Sequence, residues 1–169
     1  MTKTAAPSVP TIDVFALAKA GGRIRGCIAN ARFARLAPLL ASTDGEMAWE
    51  MRGEIDQRGR PAASLALRGA VIVRCDRCGR NFDHPIQSES HYWFVETEEA
   101  LNALPIDVSE TEPLLGSREF SVTQLVEDEL ILAIPISPRH AHCAIAEKPA
   151  DESDRNRPLA ALATLRSRH

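Results

Sequence analysis

Residues 63–78 read Ala63-Ser64-Leu65-Ala66-Leu67-Arg68-Gly69-Ala70-Val71-Ile72-Val73-Arg74-Cys75-Asp76-Arg77-Cys78. Leu65, Leu67, Gly69, Val71 and Val73 fall on one side of an extended chain, while Ser64, Ala66, Arg68, Ala70, Ile72 and Arg74 take the other. That is the period-two pattern of a half-buried strand. The run is long for a strand, and Gly69 is where a bulge is expected. Cys78 to Asp83 then turns the chain, and Pro85 to Glu96 returns with Ile86, Tyr92, Trp93, Phe94 and Val95, residues that suit a pleated surface. The two runs predict a long antiparallel hairpin with Cys75 and Cys78 at its tip.

Working back toward the N-terminus, Met47, Trp49 and Met51 alternate with Ala48, Glu50 and Arg52, and a turn-like stretch from Asp56 to Pro61 follows. This predicts a strand leading into a loop. Ala31 to Leu40 carries Phe33, Leu36, Leu39 and Leu40 at helical spacing, with Pro38 inside it. Arg23 to Ala29 reads as a short strand with Ile24 and Ile28 on one side. Asp13 is placed to cap a two-turn helix through Ala20, stopped by Gly21-Gly22, because glycine accepts the left-handed conformation found just past a helix end.

Toward the C-terminus, Thr97 to Gly116 is acidic, interrupted by Pro105 and Pro113, and reads as a loop with a turn of helix at Glu98 to Leu104. Phe120-Ser121-Val122-Thr123-Gln124-Leu125 has the form of a capped helix start. That helix is expected to reach about Ile134, with Val122, Leu125, Val126, Leu130 and Ala133 inward; Pro135 and Pro138 block its continuation. The expected fold is α+β: an antiparallel sheet with a long hairpin, flanked by a few short helices, in a single domain over residues 11–148. A disordered N-terminus at 1–10 precedes it. A flexible C-terminal tail at 149–169 follows, a linker and then a short amphipathic stretch with Leu159, Leu162, Ala163 and Leu165.

No apolar run approaches the roughly 20 residues needed to cross a bilayer, and no secretory signal is visible near Met1, so a cytoplasmic, reducing setting without membrane contact is expected. In such a setting Cys27, Cys75, Cys78 and Cys143 are free thiols or metal ligands rather than a disulfide framework. The net charge of -3 hides a division along the chain. Residues 1–80 hold 13 Lys or Arg against 7 Asp or Glu, whereas residues 81–138 hold 12 acids and the single base Arg118. No acid lies between Val14 and Thr43, where Lys19, Arg23, Arg25, Arg32 and Arg35 stand. That stretch is a candidate phosphate-binding surface; the alternative is that its bases are solvated or pair with the acidic half.

The Cys75-x-x-Cys78 spacing lets two thiolates point at one ion from a tight turn relieved by Gly79. The other half of a tetrahedral zinc site is available in Arg139-His140-Ala141-His142-Cys143, with His140 or His142 as the nitrogen ligand. The alternative is a pair of reduced, packed thiols beside solvated histidines. A thioredoxin-like dithiol would sit at a helix start, whereas here a turn and a strand follow. Glu127-Asp128-Glu129 point in different directions from a helix and have no nucleophile nearby in sequence, so they read as an acidic face. No phosphate loop, dinucleotide fingerprint or serine hydrolase elbow is present, which directs the function toward binding.

Taken in order, Arg74-Cys75-Asp76-Arg77-Cys78, the helix Leu125-Val126-Glu127-Asp128-Glu129-Leu130-Ile131-Leu132-Ala133-Ile134-Pro135, Pro138-Arg139-His140 and Cys143 resemble the YceD family of large ribosomal RNA subunit accumulation proteins. The closing stretch from Asn156 to Arg166 resembles that family's Asn-Pro-Phe-Ala-x-Leu-x-x-Leu-Lys ending, with an inserted Arg157 and with Leu159 in place of Phe. Asp76 stands where the family's knuckle usually has Gln. The resemblance implies a bacterial cytosolic factor, without established catalytic activity, needed for synthesis, processing or stability of large-subunit 23S ribosomal RNA.

Three functions are therefore open. The first is an RNA or preribosome binder in which Arg23, Arg25, Arg32, Arg35, Arg74 and Arg77 meet phosphates. The second is an adapter whose Glu127, Asp128 and Glu129 dock a basic ribosomal protein. The third is a zinc or dithiol enzyme.

Overall fold

The computed structural model describes residues 11–105 and 111–143. Its elements run in the order β1 (Thr11–Ile12), α1 (Val14–Ala20), β2 (Arg23–Ala29), β3 (Glu46–Ile55), β4 (Pro61–Arg74), β5 (Asn81–Val95), α2 (Glu98–Asn102), β6 (Thr111–Leu115), β7 (Phe120–Ser121) and α3 (Val122–Ala133). Five strands form one sheet in the order β2-β3-β4-β5-β6, and β1 pairs with β7 in a separate two-stranded ribbon. The sheet is antiparallel except at β6, which runs parallel to β5. The α+β architecture expected from the alternation is the one observed. The expected loose ends at 1–10 and 149–169, with the Leu159 to Leu165 stretch, lie outside the described residues.

The β4–β5 ladder is unbroken from Ala62 opposite Trp93 to Arg74 opposite Asn81. The bulge expected at Gly69 is thus absent, and the glycine serves packing instead. A Cβ there would lie 2.9 Å from Met47 Sδ and 3.1 Å from the Glu46 carbonyl oxygen, so only a bare backbone lets Met47 lie across it. β5 begins at Asn81, before Pro85, where its ladder with β4 starts, and β6 flanks it only along His91–Val95. At Pro85 it is an edge strand, where a residue without an N–H is tolerated.

One face of the sheet carries the core. Met47, Met51, Leu65, Leu67, Val71, Val73, Tyr92 and Phe94 are buried there with Val14 of α1 and Val122, Leu125, Val126 and Leu130 of α3. Asp13 Oδ1 accepts the N–H groups of Phe15 and Ala16 at 3.0 and 2.9 Å, and Gly21 closes α1 in the left-handed conformation at φ 57°. The helix lies so close to β3 that a Cβ on Gly53 would be 2.4 Å from the Leu17 carbonyl oxygen.

Two stretches depart from the sequence-based expectation. Residues 31–40 form no helix: Pro38 leaves only 3-10 turns at Asn30–Arg32 and Ala37–Leu39, yet Phe33 and Leu36 are fully buried while Leu39 is 49% exposed. Thr97 to Gly116 is more than a loop. It holds the expected helical turn as α2, capped by Thr97, and also the edge strand β6, whose Pro113 pairs opposite Trp93.

The third departure is Glu127, which turns into the protein. Its Oε1 accepts the backbone N–H groups of Arg35 at 2.6 Å and Leu36 at 3.1 Å, and its Oε2 accepts Arg35 Nε at 3.1 Å. Arg35 Nη1 reaches on to Asp128 Oδ1 at 2.6 Å. A buried carboxylate is tolerable only with such a full set of donors.

Two stability measurements follow from these contacts. Glu127→Ala, which strands two N–H groups, is expected to cost about 2–4 kcal/mol in urea unfolding, and Glu127→Gln, which keeps an acceptor, clearly less. The half-exposed Arg35 head contributes little of this through charge. Gly53→Ala is expected to cost about 3 kcal/mol because its obstacle is backbone that cannot yield; an unchanged unfolding midpoint for either alanine variant would contradict these contacts.

Candidate metal centre at the hairpin tip

The β4–β5 hairpin closes through Cys75, whose N–H donates to the Arg80 carbonyl at 2.9 Å and whose own carbonyl accepts the Gly79 N–H at 2.8 Å. Gly79 sits at φ 73°, a conformation that glycine adopts without steric cost. Beyond α3 the prolines prevent further helix, and the chain is led back to the hairpin. There the Asp76 N–H donates to the Pro138 carbonyl at 2.9 Å.

This contact sets Cys75, Cys78, His140 and Cys143 together, with one ligand atom from each within 4.8 Å of all the others. Cys75 Sγ and Cys143 Sγ are 3.7 Å apart, and so are Cys78 Sγ and His140 Nε2. A tetrahedral zinc ion, with sulfur at about 2.3 Å and nitrogen at about 2.0 Å, sets such pairs roughly 3.5–3.8 Å apart. The sulfurs are too far apart for a disulfide, and all four cysteines are free. His140 is held by Phe82, whose ring centroid is 5.2 Å away, while its Nδ1 is buried without a partner. His142 is exposed and outside the cluster, and Cys27 is exposed on β2.

The electrostatics suit thiolate ligation. Burial by itself would raise the Cys75 thiol, but N–H groups of Cys78, His140 and Arg77 and the Cys143 thiol outweigh it and hold it at about 6. Cys143 is pushed up by burial and by Cys75. Arg80 faces the Cys78 sulfur, which raises its guanidinium further. All four protein positions of a tetrahedron are filled, the pattern of a closed structural site.

The other candidate residues fall into separate places. The acidic triplet divides as helix geometry requires: Glu127 is inside, Asp128 is exposed and paired with Arg35, and Glu129 accepts a hydrogen bond from the Ser90 hydroxyl. Burial, and then Glu129, push the Tyr92 phenol well above its ordinary range. Among the bases, Arg35 is consumed by Glu127 and Asp128, and Arg23 Nε lies 3.3 Å from Glu50. Arg25 is exposed on the solvent face of the sheet, with Arg68 across a shallow furrow floored by Ala48 and Ala66. Arg32 lies in the turn after β2, whereas Arg74 and Arg77 stand at the hairpin tip, Arg74 Nε donating to the Gly79 carbonyl at 3.0 Å. Sequence reasoning passed over Arg80 and Arg139, although each lies within two residues of a candidate ligand.

The fold and site together define a class: an α+β domain whose hairpin tip and post-helix segment meet in a Cys3His cluster. The family model described as large ribosomal RNA subunit accumulation protein YceD matches residues 63–166, and the chain belongs to that family. Among curated proteins it is similar to the large ribosomal RNA subunit accumulation protein YceD of Haemophilus influenzae, 26% identical over 121 residues that cover 64% of this chain and 69% of that one. No solved structure gives a significant match. Among the described residues no helix is long and apolar enough to cross a membrane.

Metal-free protein is expected to show a step in thiolate absorbance near pH 6 that Cys75→Ser removes. Unfolded, that thiol keeps its proton to its ordinary value of 9.0, so between the two values the unfolded chain binds more protons. The contribution of Cys75 to metal-free stability therefore rises with pH across that window. Stability falling with pH there, together with no absorbance step, would contradict the assignment.

Proposed function

We propose that this protein is a non-enzymatic, cytoplasmic factor supporting the accumulation of large-subunit 23S ribosomal RNA. In this reading it binds RNA or a preribosomal particle and uses zinc at Cys75, Cys78, His140 and Cys143 as a structural clasp. The observation that carries the reading is the Cys3His cluster, closed across 62 to 68 residues of chain in a member of this family. Four protein ligands leave no open position for a substrate or an activated water, which weighs against a zinc enzyme. The adapter reading loses support because Glu127 is sequestered and Asp128 already has a partner.

When bound, zinc supplies cross-linking between the hairpin and the segment after α3; the protein's own part is to preset the four ligands on a core that does not depend on the ion. Elemental analysis of purified protein is expected to find one zinc per chain, lost in His140→Ala and kept in His142→Ala. Chelation should expose the amides of residues 136–143 to hydrogen exchange while β3, β4 and β5 stay protected. In cells lacking the gene, the wild-type copy should restore 23S ribosomal RNA and Cys75→Ser should not. A metal-free Cys75→Ser protein that restores it fully would remove the clasp from the function, and failure of the wild-type copy would sink the reading as a whole.

A further inference from the structure

We infer that closure of the clasp assembles a phosphate-binding surface for RNA from two distant parts of the chain: Arg74, Arg77 and Arg80 around the hairpin tip, and Arg139 beside His140. The inference rests on the RNA-binding reading above and assigns it a surface, moving the contact away from the acid-free stretch at 14–43. All four arginines are exposed, and among the described residues none of them is in an ion pair with a carboxylate. In the N-terminal stretch Lys19 and Arg25 are likewise exposed, but Arg35 and Arg23 are engaged by acids. Arg35 is spent on Glu127 and Asp128, and Glu50 takes both Arg23 and Arg52.

The solvent face of the sheet is also balanced in charge. The register puts Arg23, Arg25, Arg52 and Arg68 on the same face as Glu46, Glu50, Glu54 and Glu89. At the tip the same four-arginine count meets only Asp76 and Asp83. No exposed aromatic ring accompanies the arginines, because Phe82 is turned onto His140. A surface of guanidinium groups without a stacking platform suits the phosphates of structured RNA better than unstacked bases.

Among the described residues, the two parts of this surface meet at the clasp. Arg139 follows Pro138, whose carbonyl takes the Asp76 N–H, and precedes the ligand His140. Arg77 lies between the ligands Cys75 and Cys78 and directly follows Asp76, the residue bonded to Pro138. On this reading, losing the metal releases Arg139 from Arg77 and removes one of the four arginines from the surface without touching the core.

The test is binding of the full, zinc-loaded chain to a duplex fragment of 23S ribosomal RNA across a potassium chloride series, with zinc measured for every sample. The Arg77→Ala/Arg139→Ala double variant should keep its zinc, bind about tenfold or more weakly, and lose about two units from the slope of log affinity against log salt. Chelated wild-type protein should lose about one unit of slope, and Arg58→Ala, at the opposite end of the sheet, should match the wild type. Unchanged affinity and slope in the zinc-loaded double variant would overturn the surface while leaving the RNA reading intact. The same loss in Arg23→Ala/Arg25→Ala instead would place the contact on the sheet. Wild-type protein that ignores the RNA but holds a purified basic ribosomal protein after nuclease would overturn both.

Discussion

The unbroken pairing of β4 with β5 is the constraint from which the other features follow. Thirteen consecutive residue pairs from Ala62 to Arg74 hold one register, and a slip of one residue would exchange the buried and solvent faces along the whole hairpin. With the register kept, Leu65, Leu67, Val71 and Val73 supply the floor on which α1 and α3 rest, and Cys75 arrives at the tip on the buried side. The hairpin outruns β3, so the loop before β3 covers the gap, with the Ala41 N–H on the Ile72 carbonyl at 2.7 Å. The tip is thus held at its base by the ladder and met at its end by the segment after α3.

Glu127 is the second fixed point. By taking the N–H groups of Arg35 and Leu36 it anchors α3 to an irregular segment that has no ladder of its own. The anchor sets where α3 ends and hence where Pro138, His140 and Cys143 begin their return to the hairpin. A carboxylate in this position orients and does not attract partners. Ion pairs engage Arg23, Arg35, Arg52 and Arg60, whereas the arginines around the clasp are in none of them.

Much of this was legible in local sequence. Alternation through Ala63 to Cys75 defined the strand and its faces, Asp13 with Gly21 bounded α1, and Ser121 marked the start of α3. These patterns report short-range sterics and hydrogen bonds, which depend on neighbours in the chain. β6 was hidden because its five residues include Pro113 and acquire strand geometry only by lying beside β5. Residues 31–40 had the right apolar content for burial, but Pro38 denied them the helix that their spacing suggested. Glu127 carried one retrievable signal: it precedes Leu130 by three residues and thus borders the apolar stripe of the helix, where a charge needs a buried partner.

The sequence by itself determined the strands, the capped helices, the family resemblance and the chemical identity of four metal-ligand candidates. Only the tertiary structure decided that His140 and not His142 completes the cluster, and that Arg35 and Glu127 satisfy each other. The physical reason is separation along the chain. A ligand set spanning 62 to 68 residues, and an ion pair spanning 92, are brought together by packing of α3 against the sheet, and no local periodicity encodes that closure.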